Sequence, residues 1–194
     1  MIRRLSVLLL FGLLSSLPRS VHAGEATAQL SATINEFVTI LVSTPVSELR
    51  TTGLPEKALK LIYSRFDFIE MTKRSLGPHW KTLEPAEQGE FVDGLTHRLL
   101  VTYGRTVRAS GDEKIVFKKE TLDGGYAKVE SAVVGGNSDT LIDYRLHDVD
   151  GQWRVYDMVI EHVSIVSNFR AQFEREISRT SVKALLEKIK QRQS

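Results

Sequence analysis

A chain of 194 residues with 42% hydrophobic side chains has material for one packed core, and its length argues for a single domain. The absence of cysteine excludes disulfides, a thiol nucleophile and a lipid-modified cysteine. The formal charge of +2 is too small for a strongly basic nucleic-acid binder.

The amino terminus reads as a secretory signal. Arg3 and Arg4 precede the apolar run "LSVLLLFGLLSSL", and Val21 and Ala23 place small residues where a signal peptidase reads them. The run is too short and wrongly flanked for a stable membrane span. Cleavage is expected after Ala23. It removes Arg3, Arg4 and Arg19 from the 26 basic residues and none of the 24 acidic ones, turning +2 into −1. The mature chain, from residue 24 to 194, is expected to be soluble, unanchored and periplasmic. It forms one domain with a small helical subregion at about residues 26–80.

Helical spacing of Leu30, Ile34, Phe37 and Leu41 predicts a first helix over about residues 26–42. "STPVSELRTTGLP" reads as a loop, and Pro55 as the first residue of a second helix, "PEKALKLIYSRF". In "FDFIEMTKRSLGP", Asp67 and Glu70 have the spacing of a capping box, with Phe66 and Met71 as a hydrophobic staple. Gly77 and Pro78 end that helix. A long helix follows, "EPAEQGEFVDGLTHRLLVTYGRTVRAS", with an apolar ladder Phe91, Leu95, Leu99, Tyr103, Val107 broadened by Val92 and Leu100. Gly94 and Gly104 would each cost about 1 kcal/mol inside it, which close packing against that surface would explain.

After Gly111 the period becomes two. "KIVFKKE", "GYAKVESAVV", "DTLIDYRLHDV" and "QWRVYDMVIEH" read as four strands joined at "LDGG", "GGN" and "VDGQ", an antiparallel meander. Two helices close the chain, about Ser167–Arg179 and Val182–Gln191. The order predicts an α+β fold, a curved four-stranded antiparallel sheet packed on helices. The last strand is unusual because both alternating sets are partly apolar: Tyr156, Met158, Ile160 on one side, Trp153, Val155, Val159 on the other, with Asp157 interrupting. An antiparallel strand ordinarily keeps one face wet.

Catalytic motifs are missing. There is no G-x-S-x-G, H-E-x-x-H or Walker loop, and His79, His97, His147 and His162 lack metal-ligand spacing. "DVDG" lacks the later acidic positions of a calcium loop and reads as a hairpin turn. No cofactor or metal is expected. Asp143 and Asp157 interrupt apolar strands. In a desolvated pocket one of them would serve as general base; alternatively they pair with Arg145 or Arg154 across neighbouring strands. The remaining feature is apolar surface on two facing elements, with an aromatic and Met-containing lining suited to an apolar ligand.

"LGPHWKTLEPAEQGEFVDGL" together with "IDYRLHDVDGQWRVYDMVIEHVSIVSNFRAQF" resembles the MlaC or toluene-tolerance family, over roughly Phe66 to Lys190. The resemblance implies a non-enzymatic periplasmic carrier. It would shuttle glycerophospholipid between an outer-membrane lipoprotein complex and an inner-membrane ABC transporter complex, maintaining outer-membrane lipid asymmetry. The acyl tails would lie in a cavity between sheet and helices. The lipid-binding residues expected on facing and apolarity are Leu95, Leu99, Tyr103, Val107, Tyr144, Tyr156, Met158, Ile160, Val163 and Phe169. The Ser-Asn pair of "EHVSIVSNF" would cap the following helix. The chain departs from the family pattern at His162, where Gly is common, and at Glu84, where Ser or Thr usually precedes the Pro. The first departure could mark a subfamily carrying another lipid, such as a hopanoid. The rival class is a periplasmic enzyme on a similar scaffold using Asp143 or Asp157.

Overall fold

The computed structural model describes residues 24–51, 53–103, 114–135 and 138–191. The order is α1 (Glu25–Ser43), α2 (Val46–Thr51), α3 (Glu56–Arg65), α4 (Phe68–Leu76), a 3₁₀ turn (Gly77–Thr82), α5 (Pro85–Tyr103), β1 (Lys114–Asp123), β2 (Tyr126–Val134), β3 (Thr140–Val149), β4 (Gln152–Ile160), β5 (Val163–Ser164), α6 (Ile165–Arg179) and α7 (Val182–Gln191). This is an α+β fold in which one antiparallel sheet of order β1-β2-β3-β4-β5 packs against helices.

Local grammar explains most boundaries. Asp67 caps α4 by accepting the Glu70 amide at 2.9 Å, and the flanking Phe66 and Met71 are buried as a staple requires. Glu70 does not return the bond to the cap. Its carboxylate turns outward to Lys73 and Arg74, at 3.1 and 2.8 Å. Gly77 ends α4 at φ +57°, a conformation that disfavours side chains. Pro85 opens α5, and the Glu87 carboxylate reaches back to the Glu84 amide at 2.9 Å, so half of a capping box survives without a Ser or Thr. The segment expected to be a loop before Pro55 contains the short helix α2, started by the Leu49 amide donating to the Pro45 carbonyl.

The sheet has five strands where four were expected. The β4–β5 connection is a two-residue turn whose members, Glu161 and His162, have φ of +46° and +65°. Two positive φ values are the signature of a type I′ hairpin turn, which Asn-Gly or Asp-Gly normally supplies. The Asp150–Gly151 turn obeys that rule, at φ +54° and +83°. Glu-His does not, which hid the fifth strand. Glycine, expected at position 162 from the resemblance, would adopt this φ without strain.

A bulge resolves the two-sided apolar pattern of β4. Leu146 pairs with Val155 and Tyr144 with Met158, so Tyr156 is an extra residue opposite the β3 ladder. Paired residues share a face, so Trp153 and Val155 fall on the same face as Met158 and Ile160. The expectation that Tyr156 shares a face with Met158 and Ile160 is therefore corrected: one inserted residue switches the alternation.

Helices cover one face of the sheet. α1 crosses β1, β2 and β4, while α4 and α6 pack on β4 and on each other. A single core joins Leu30, Ile34 and Phe37 of α1, Phe91, Leu95 and Leu99 of α5, Val129, Tyr144, Leu146, Trp153 and Val155 of the sheet, and Phe169 and Phe173 of α6. Arg65 ties these layers: its guanidinium donates to Gln29 Oε1 and Thr33 Oγ1 of α1 and to the Trp153 carbonyl of β4. Burial, with Arg154 nearby, lowers its pKa from the usual arginine value. The opposite face is polar near the hairpin turns, with Lys128 between Glu130 and Asp143, and carries Val116, Ala132, Leu141 and Val159 toward the other end.

Candidate functional site

The register sorts the helix-facing side of the sheet into rows. Next to the two hairpin turns, Leu122, Ala127, Leu146 and Val155 lie side by side; Ala127, Leu146 and Val155 are fully buried. The next row is Glu120, Val129, Tyr144 and Met158, with Val129 and Tyr144 buried and Met158 only half-buried. Beyond it come Phe117, Ser131, Ile142 and Ile160, of which the three apolar members are half-buried. Last are Ile115 and Val133, again half-buried. Apart from Glu120 and Ser131 the face is apolar along its length, while its cover thins toward the end where β4 turns into β5.

The residues expected to bind lipid distribute over this arrangement unevenly. Leu95 and Leu99 of α5, Tyr144 of β3 and Phe169 of α6 meet in the core, with Met158 and Ile160 packed against them from the thinly covered rows. Burial pushes the Tyr144 hydroxyl pKa well above the tyrosine range. Phe169 lies 5.8 Å from the Phe173 ring, and Arg98 of α5 sits over its face at 5.4 Å. Val163 is 54% exposed in β5, at the open end. Tyr156 stands apart on the polar side. The Tyr126 and His147 rings meet it edge-on at 5.9 and 5.8 Å, and the Arg74 guanidinium covers it at 4.1 Å. Its pKa is raised, chiefly by burial. The Tyr103 side chain and all of Val107 lie outside the described residues.

Sequence reasoning placed Ile142 on the face of Tyr144 and Leu146 but left it, with Phe117 and Ile115, out of the expected lipid-binding set. Their alternation was visible, but only pairing shows that Ile142 neighbours Ile160 and that Phe117 extends this row to the edge strand. It also missed Thr96. This α5 residue is 3% exposed, and its hydroxyl has no hydrogen-bond partner among the described residues. Thr72 and Ser75 in α4, equally buried, donate to the carbonyl four residues back. A buried orphan hydroxyl is costly, about 1–3 kcal/mol.

The two aspartates have structural employment. Asp157 is 2% exposed and accepts three hydrogen bonds: from the Val166 amide at 3.0 Å, the Ser164 hydroxyl at 2.7 Å and Arg145 at 3.1 Å. Together with Ser164, which accepts the Ser167 amide at 3.0 Å, it caps α6. The expected Ser167–Asn168 cap is thus displaced, because the helix begins at Ile165. Asp143 lies 3.8 Å from Lys128 on the polar face. Among the described residues no three His, Cys, Asp or Glu side chains converge on a metal position. No helix among them is long and apolar enough to cross a membrane.

A separate surface groove of about 270 Å³ runs between α5, α6 and α7. Phe173, Leu185 and Ile189 contribute apolar surface to it, and Arg98, Arg175, Arg179 and Lys188 supply four cations against the single acid Glu176.

No curated protein matches the chain by sequence. Among solved structures the fold is similar to a phospholipid-binding protein from Ralstonia solanacearum determined in complex with a phospholipid. The TM-score is 0.76 and the identity 25%, over 86% of this chain and 96% of that one. The family described as MlaC protein matches residues 29–191. That span is most of the sequence, and the chain belongs to the MlaC family.

Proposed function

We propose that this protein is a non-enzymatic periplasmic carrier of glycerophospholipid, with the acyl chains held between α5 and the thinly covered rows of the sheet. One observation carries this reading: an apolar sheet face loses its cover toward one end, in a chain whose fold matches that of a protein bound to a phospholipid. Water contact costs about 0.8 kcal/mol per CH₂, so a two-chain lipid in transit needs shelter of order 20 kcal/mol. Leu95, Leu99, Tyr144, Met158, Ile160 and Phe169 form the wall, with Ile142 and Phe117 beside them and Val163 at the mouth.

Residues 1–23 act as the export signal, and residues 24–194 work as one domain. The cargo passes between an outer-membrane lipoprotein complex and an inner-membrane ABC transporter complex. The groove of α5, α6 and α7, lined by Arg98, Arg175, Arg179 and Lys188, is the candidate docking surface.

Native mass spectrometry of freshly exported protein tests the cargo. Phospholipid mass should accompany the wild type, and Met158→Glu should lose it while keeping the far-ultraviolet spectrum. Met158 is half-buried, so the charge falls where acyl chains would lie and not in the fully packed core. Undiminished phospholipid in the variant refutes the wall, and an empty wild type refutes the carrier.

A further inference from the structure

Glu120 lies on the helix-facing side of the edge strand β1, opposite Val129, in a row that is otherwise apolar. A carboxylate there needs a reason, and α1 supplies it. Glu120 Oε1 accepts the Gly24 amide at 2.8 Å. Oε2 accepts the Thr27 amide at 2.7 Å and the Thr27 hydroxyl at 2.6 Å. Both oxygens are occupied by the first turn of a helix 93 to 96 residues away in sequence. Gly24 is the N-cap of α1, its carbonyl accepting the Ala28 amide at 2.9 Å, yet it has no side chain to do the capping. Glu120 does this from outside.

Gly24 is also the residue that follows the expected cleavage point. It sits at φ +97°, in the left-handed region that glycine alone enters cheaply, and a side chain there would meet no atom within 4 Å. The requirement for glycine is therefore conformational and not steric. In the uncleaved chain it directs the Gly24 N–H at Glu120; in a chain that starts at Gly24 this torsion no longer exists, and the ammonium turns freely onto the carboxylate.

We infer that Glu120 is the receptor for a free amino terminus created by processing between Ala23 and Gly24. This rests on the export reading above. Hydrolysis of that peptide bond uses one water. Hydroxyl goes to the Ala23 carbonyl carbon, which leaves as a carboxylate on the signal, and the Gly24 nitrogen takes up protons to become an ammonium. A 2.8 Å hydrogen bond from a neutral donor to the carboxylate thereby becomes an ion pair, adding Coulombic attraction to a bond that the ionised acceptor already strengthens. The pairing also offsets a conflict: an ammonium beside the positive end of the α1 dipole is repelled unless an acid stands with it. Glu25, the other acid at this end, is engaged with Gln29 at 3.4 Å. Maturation thus tightens α1 onto the edge strand, and the uncleaved precursor holds the same helix by a weaker bond.

The test begins with the intact mass of the exported protein. A chain starting at Gly24 supports the inference; any other start overturns it, while the cargo assay still judges the carrier reading independently. The Gly24-start chain is then compared with the same chain carrying an Nα-acetyl group, each with Glu120 and with Glu120→Gln. Acetylation, which returns the ion pair to a hydrogen bond from a neutral amide, should lower Tm by about 2–4 °C with Glu120 present, the most that an exposed ion pair is worth in a chain of this size, and by less than about 1 °C in Glu120→Gln. An equal loss in both backgrounds, or none in either, overturns the receptor role. Should Glu120→Gln fail to fold, titration of Gly24 by NMR in the Glu120 protein decides instead. A midpoint raised above the ordinary α-amino value of about 8 supports the pair, and an ordinary midpoint overturns it.

Discussion

Asp157→Asn separates the structural role of this aspartate from a catalytic one. Its carboxylate is 2% exposed and accepts from Val166 N at 3.0 Å, Ser164 Oγ at 2.7 Å and Arg145 Nη1 at 3.1 Å. Asparagine keeps one acceptor oxygen and places an NH₂ where the second stood, so a donor then faces a donor. Each hydrogen bond to a buried charged group contributes roughly 1.5–3 kcal/mol, and a buried amide left unpaired costs about 1–3. The Arg145 side chain is 44% exposed, so the ion pair adds no more than about 1 kcal/mol. The net loss is about 3 kcal/mol, with the α6 cap and the β4–α6 junction bearing most of it. At about 2–4 °C per kcal/mol for a chain of this size, Tm should fall by about 6–12 °C. Differential scanning fluorimetry reads the shift, and native mass spectrometry of the same sample reads the cargo. Lipid content should be kept below the transition. An unchanged Tm would refute the capping argument, and loss of cargo at unchanged Tm would place Asp157 in the binding site.

His162→Gly should stabilise the protein. The left-handed conformation costs a side-chain-bearing residue about 1–2 kcal/mol, glycine gives back roughly half through its freer unfolded chain, and His162 sits at φ +65°. A gain of about 0.5–1 kcal/mol in urea unfolding is expected, and a loss would contradict the turn geometry. Tyr144→Phe should flatten the alkaline limb of stability. The folded pKa of Tyr144 lies above its unfolded value of 10.0, so its contribution is complete below that pH and fades as pH rises past it. Urea midpoints from about pH 9 to 11.5 should therefore fall less steeply in the variant, and parallel curves would show that Tyr144 is not the group responsible.

Local chemistry made much of the fold legible. The α4 cap at Asp67, the stop at Gly77, the opening Pro85 and the Asp150–Gly151 turn each act over a few residues, so their composition announces them. The same holds for the α5 ladder, where Leu95 and Leu99 recur at the spacing of one helix face and end in the core. The fifth strand was hidden because its turn uses Glu161 and His162 in a conformation their side chains do not advertise.

The candidate site was half legible for a related reason. Apolarity and family resemblance pointed to Tyr144, Met158 and Phe169, but the face of Tyr156 depends on one inserted residue opposite β3. Which strands pair, and in what register, is a long-range property that periodicity within a single strand does not encode. Tertiary structure alone set Ile142 beside Ile160, brought Glu120 to the first turn of α1, and turned Asp157 from a break in an apolar strand into the cap of α6. The amino-acid sequence by itself determined helix ends, hairpin turns and the class of fold, because those follow from interactions between near neighbours. The shape of the site was decided by contacts between residues far apart along the chain, which exist only once the sheet has closed against its helices.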